Sequence, residues 1–172
     1  FLNDYASLDA AAQAFRDGVG DFVHLQDPLA SLLMEEGVGC AAISVGESLG
    51  ELAFSTLAMS RKFLEERSGA AEAFMRAYFA TLQWLAGSDP EEIVAVTQGL
   101  FQGVPRGVLV RSVQNCKAIG AWQPDPVIRR EPYERMVDMW ILAGHMTKRY
   151  PFERVVNNDL AEKIEREWKA GA

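Results

Sequence analysis

The residues best suited to hold a small polar molecule are Leu25-Gln26-Asp27-Pro28. They follow a short apolar run, Phe22 to Leu25, that reads as a buried strand, and they open a helical pattern that stops at Gly37. At the carboxyl end of a parallel strand, the free N–H groups and dipole of the next helix favour an anion or a carbonyl oxygen. Gln26 would hydrogen-bond the ligand there, with the backbone N–H groups near Leu29 and Ala30 adding donors. Pro28 suits the first helical position, where its missing N–H costs nothing. Asp27 reads either as a ligand group or as the helix cap. His24, one place inside the strand, is either a hydrogen-bonded core residue or a ligand contact.

A second polar group, Glu47, Ser48 and Glu51, lies in Gly46-Glu-Ser-Leu-Gly-Glu51, which breaks all periodicity. Its two glycines make it the most hinge-like segment of the chain, so these side chains either reach a ligand or decorate a surface loop. Trp122, on a loop with Pro124 and Pro126, either anchors that loop or stacks on a bound ring. His145 follows Gly144 at a helix end, where a cation is favourable. Spacing sets no nucleophile and base side by side, so no catalytic residue is assigned. Cys40 and Cys116 lack a CxxC companion; both read as buried thiols, with no metal or cofactor implied.

These residues need elements to position them. A helix over Ser7–Asp17, the strand at Phe22, a helix from Asp27 to about Glu36, and a second buried strand over Ala41–Val45 make a βαβ unit with parallel strands. Leu52–Met59 reads as a third strand. Only helices follow: Arg61–Glu66, Ala70–Ala86, Pro90 to about Gln98, Arg106–Ile119, Pro132–Ala143 and Asp159–Lys169. Asp89, Pro90 and Glu92 spell a capping box. The Ala70–Ala86 pattern, with Phe74, Tyr78, Leu82 and Leu85 on one stripe, marks an interior helix. Leu160, Ile164 and Trp168 form the docking stripe of the last helix. Two or three parallel strands do not make a stable open sheet, so a second copy of the chain or a missing first half is expected to supply the rest.

Composition narrows the function classes. The 172 residues are 49% hydrophobic and carry 17 basic against 24 acidic side chains, a net charge of −7. A chain of this length can build a real core. With no basic cluster, nucleic acid is not an expected partner, because phosphate binding needs concentrated positive charge. No apolar run reaches the ~20 residues that span a bilayer. The sequence opens at Phe1 without methionine or a signal-peptide pattern, so a preceding segment is expected to have been removed or left out.

Several motifs together carry a family resemblance. These are Gly-Asp-Phe-Val-His-Leu-Gln-Asp-Pro-Leu-Ala-Ser from Gly20, Ala-Met-Ser-Arg-Lys-Phe-Leu-Glu-Glu-Arg from Ala58, and Ala-Phe-Met-Arg-Ala-Tyr from Ala73. Asp-Pro-Glu-Glu from Asp89 and Val-Val-Asn-Asn-Asp-Leu-Ala from Val155 complete the set. In this order the chain resembles the second half of the substrate-binding proteins of nitrate, sulfonate and taurine type ABC importers, and their thiamine-precursor relatives. The resemblance implies an α/β fold of the type II periplasmic-binding-protein kind, C-terminal half only, helix-rich with a few parallel strands. Residues 1–45 would belong to the second lobe, 46–59 to the hinge and crossing strand, and 60–172 to the helices completing the first lobe. A small polar or anionic ligand would sit in the interlobe cleft against Gln26, Asp27, Pro28 and the segment from Gly46 to Glu51. Many members carry an aromatic residue at the position of Gln26, so here that stacking platform is missing. The partners implied are the ligand, a membrane permease and the missing N-terminal half, in a periplasmic or membrane-anchored extracellular setting. The alternatives are an enzyme on the same fold, of thiamine-pyrimidine synthesis or desulfinase type, and a ligand-sensing domain.

Overall fold

The computed structural model describes residues 4–171, and every regular element among them is helical. In chain order these are α1 (Leu8–Arg16), α2 (Leu29–Glu35), α3 (Val45–Leu49), α4 (Arg61–Glu66) and α5 (Ser68–Gly87). Then come α6 (Pro90–Thr97), α7 (Arg106–Ala118), α8 (Arg130–Leu142), α9 (Phe152–Val155) and α10 (Asp159–Gly171). A short 3₁₀ turn, Gln98–Leu100, extends α6.

The expected α/β fold with parallel strands is therefore corrected: no strand exists among the described residues. Phe22–Leu25, Ala41–Ser44 and Leu52–Met59 are non-helical, but none has a neighbour to form a ladder with, and Val45 opens α3. Their apolar side chains are accordingly uncovered, with Phe22 85%, Ile43 73% and Phe54 61% exposed. Around Phe22 the two-residue period survives, since Phe22, His24 and Gln26 are exposed while Val23, Leu25 and Asp27 are partly covered. Alternation is a property of the chain, whereas a strand requires a partner. The segment expected as a hinge is in part the helix α3, started by the Ser44 hydroxyl, which accepts from Glu47 N at 3.2 Å. Neither cysteine is fully buried: Cys40 is exposed and Cys116 half-buried.

The chain divides into two compact units. The first comprises Phe1–Ser48 and Ser88–Ala121. Its core is Ala12, Leu33, Ile93, Val94, Val108 and Leu109, where α2 packs on α1 and α7, and α6 packs on α7. The helix starts follow local chemistry. Ser7 caps α1 by accepting from Ala10 N at 3.1 Å, and Asp89 with Glu92 closes the capping box of α6, with Pro90 at its first turn. Arg16 holds Glu36 through two hydrogen bonds of 2.7 and 3.0 Å, tying α1 to the end of α2.

The second unit comprises Leu49–Gly87 and Trp122–Ala172. Its core is Ala71, Phe79, Leu82, Met136, Val137, Ala161 and Ile164. α10 docks on α5 as its apolar stripe requires, with Ile164 buried and the Trp168 ring tilted against Phe79 at 5.2 Å. A charged seam flanks that contact: Glu72 accepts from Arg76 and from Lys163, each at 2.7 Å, and Arg76 also pairs with Glu167. The side chain of Asn158 clamps Ile128, donating to its carbonyl at 2.8 Å and accepting from its N–H at 3.1 Å. Among the described residues no helix is long and apolar enough to cross a membrane.

Candidate functional site

Asp27 is the node of the loop that the sequence singles out. One carboxylate oxygen accepts from both the backbone N–H and the hydroxyl of Ser31, at 3.1 and 2.7 Å. The other accepts from Asn115 Nδ2 on α7 at 3.1 Å. Ser31 is fully buried, so the cluster fixes the loop from beneath. Asp27 thus bonds an N–H of the first turn of α2, but Pro28, in the cap position, makes no side-chain cap. The Asp27–Pro28 peptide is cis.

The donors expected to face a ligand are differently employed. Leu29 N and Ala30 N both donate to Gln26 O, at 3.1 and 3.4 Å, which closes the turn into α2. What the loop offers outward is the exposed residues Gln26 and His24, two positions apart in the segment. An exposed His24 is not a core residue. The same unit carries Glu47 and Ser48 on α3, both exposed, with the Ser48 hydroxyl donating to Ser44 O at 2.9 Å.

Glu51 and Trp122 belong to the second unit. Glu51 Oε1 accepts from Gln123 Nε2 at 3.4 Å, which brings Glu51 to the residue after Trp122, itself 37% exposed. Arg135 fixes this corner by donating to the carbonyls of Leu49 and Glu51 at 3.1 and 3.2 Å. Gly50 lies between them at φ +70°, and a Cβ there would come within 2.7 Å of the guanidinium.

Three features escape sequence reasoning. Asn115 joins the Asp27 cluster from 88 residues away, and no local signal marks it. Ser31, four residues after Asp27, is the one partner whose helical spacing offers a clue. Cys116, beside the cluster, has its thiol pushed above its ordinary value by burial, with the negative charge of Asp27 adding to it. The third is an apolar cavity of about 350 Å³ inside the second unit, lined by Phe54, Leu57, Met75, Met136, Trp140 and Leu160 among others. Among the described residues no group of three or more His, Cys, Asp or Glu side chains is placed to hold a metal ion.

Comparison with known proteins gives one informative likeness. The chain is 27% identical over 161 residues to a Bacillus subtilis (strain 168) protein named "Putative binding protein YtlA". The match covers 94% of this chain and 47% of that protein, so the chain spans about half the length of the curated relative it matches. No family model matches the chain, and no solved structure matches it significantly.

Proposed function

We propose that this chain is part of a solute-binding protein of an ABC importer, which captures a small polar or anionic molecule outside the cytoplasm and hands it to a membrane permease. The nitrate, sulfonate, taurine and thiamine-precursor class is the expected ligand range. The observation that carries the reading is the exposed pair His24 and Gln26, on a loop that Asp27 ties to the buried Ser31 and to Asn115 of α7. A ligand contact needs this division of labour, in which one set of side chains positions the loop and another faces the solute. The likeness to a protein named for binding supports the same reading.

In this reading Gln26 and His24 supply hydrogen bonds to the solute, and Asp27 and Pro28 shape the loop. Glu47 and Ser48, exposed on the same unit, are the further contacts proposed. The test is thermal unfolding of the protein purified from its host, with nitrate, taurine, an alkanesulfonate and a formylated aminopyrimidine as probes, beside native mass spectrometry. One probe should raise the melting temperature in a concentration-dependent way, and Gln26→Ala should weaken that probe about tenfold, as expected for loss of a hydrogen bond of ~1.4 kcal/mol. No response to any probe, together with no retained solute in the mass spectrum, would count against the reading.

A further inference from the structure

We infer that the solute held at the His24–Gln26 loop presents a protonated amine to this chain, with Glu47 as its counter-charge. The inference rests on the solute reading above and narrows it. Two exposed segments of the first unit converge on the last turn of α7. Asn115 donates to Asp27 at 3.1 Å. Ile119, the C-cap of α7, donates its N–H to Asn115 O at 3.1 Å and abuts the start of α3, where a Cβ on Gly46 would come within 3.3 Å of its Cδ1. Residues four apart on a helix are surface neighbours, about 5–6 Å between Cβ atoms. The chain neighbours of these two contacts are Gln26 and Glu47, both exposed, so a single small molecule can reach both.

The charges at these segments select the ligand. Between Arg16 and Arg61 the sequence contains no lysine or arginine. The nearby cations are engaged elsewhere: Arg16 with Glu36 at 2.7 Å, Arg111 of α7 with Glu35 at 3.0 Å, and Lys117 with Ser88 O at 2.7 Å. Asp21 and Glu47 are exposed, and among the described residues neither carboxylate enters an ion pair. An oxyanion would meet these carboxylates without the guanidinium or ammonium group that recognition of such a ligand calls on. A protonated amine instead gains a charge-assisted bond to Glu47. Its remaining N–H groups find acceptors in the Gln26 side-chain carbonyl and in the Ser48 hydroxyl, whose proton is already given to Ser44 O. The turn of α7 that both segments touch is also the negative end of that helix, which favours a cation.

Isothermal titration of the protein purified from its host tests this, with ethanolamine, putrescine and agmatine as amine probes and nitrate, ethanesulfonate and acetate as anions. At least one amine should bind saturably, and Glu47→Gln should weaken it about tenfold, as expected for loss of a charge-assisted hydrogen bond. Glu47 is exposed, so the variant keeps its fold, which the melting temperature without probe checks. Glu65→Gln removes the same charge from an exposed position of the second unit and should leave the affinity unchanged. Saturable binding of an anion alone would overturn the inference and leave the solute reading standing, whereas no binding of any probe would count against both. Equal weakening by the two variants, or none by Glu47→Gln, would overturn it as well, because Glu47 would then not be the counter-charge.

Discussion

Asp27 illustrates what a single residue does here. Its carboxylate collects three donors from two helices, and removing it takes the acceptor from the buried Ser31 hydroxyl, while the exposed Asn115 amide keeps Ser31 Oγ at 3.4 Å. Asp27→Ala should therefore lower stability by roughly 1–3 kcal/mol, the cost of leaving a buried polar group without its acceptor. Urea unfolding of the whole chain measures this. Asn115→Ala in a double-mutant cycle with it should show a non-zero coupling, because the two residues share one network. An unchanged urea midpoint in Asp27→Ala would show that the cluster does not hold the loop. The sequence points to Asp27 and Gln26 through the Asp-Pro start of a helix, which is a local signal. It does not point to Asn115, since nothing in a stretch of α7 says which loop it will meet.

Among the elements, the non-helical segment around Ile128 is secured to the start of α10 by the two bonds of Asn158. Asn158→Ala removes both and should cost roughly 1–3 kcal/mol, while Asn158→Asp keeps the acceptor for Ile128 N and should cost less. Chemical denaturation followed by Trp168 fluorescence checks the order; equal losses in the two variants would mean that the acceptor kept for Ile128 N contributes nothing. α5 shows how far periodicity carries. Its length and position are close to expectation, but Phe74 is 49% exposed, and the buried residues are Ala71, Phe79 and Leu82. A helix apolar on several sides offers more than one candidate stripe, and the packing of α10 selects among them. α9 has no sequence signal, because its four residues sit after Pro151 in a stretch too short to show a period.

At the scale of the whole molecule, acidic side chains set the pH response. Hydrogen bonds from Arg16, from Lys163 with Arg76, and from Arg130 hold the carboxyls of Glu36, Glu72 and Glu153 below the usual carboxylate range. A depressed folded-state value means that, as pH falls, the native state takes up these protons later than the unfolded chain does. The stabilisation is complete above the ordinary glutamate range and is lost as pH falls through the lower folded-state values. The urea midpoint should therefore fall between about pH 5 and 3, and less steeply in Glu72→Gln. High salt should flatten the dependence, since these pairs are at the surface. A midpoint constant across that window would contradict the assignment.

What the sequence determined by itself is whatever a few neighbouring residues decide. Ser7, Ser60 and the Asp89–Glu92 box start their helices by satisfying N–H groups within three residues, and Arg61–Glu66 falls where its pattern places it. Only the tertiary structure decided that none of the apolar runs pairs as a strand among the described residues, which faces are covered and which distant side chain completes the Asp27 cluster. The physical reason is that a helix satisfies its backbone internally, whereas a strand, a buried stripe or a long-range hydrogen bond depends on what lies opposite. Phe22, Ile43 and Phe54 keep the character of strand residues, and among the described residues no second strand pairs with the segments that carry them.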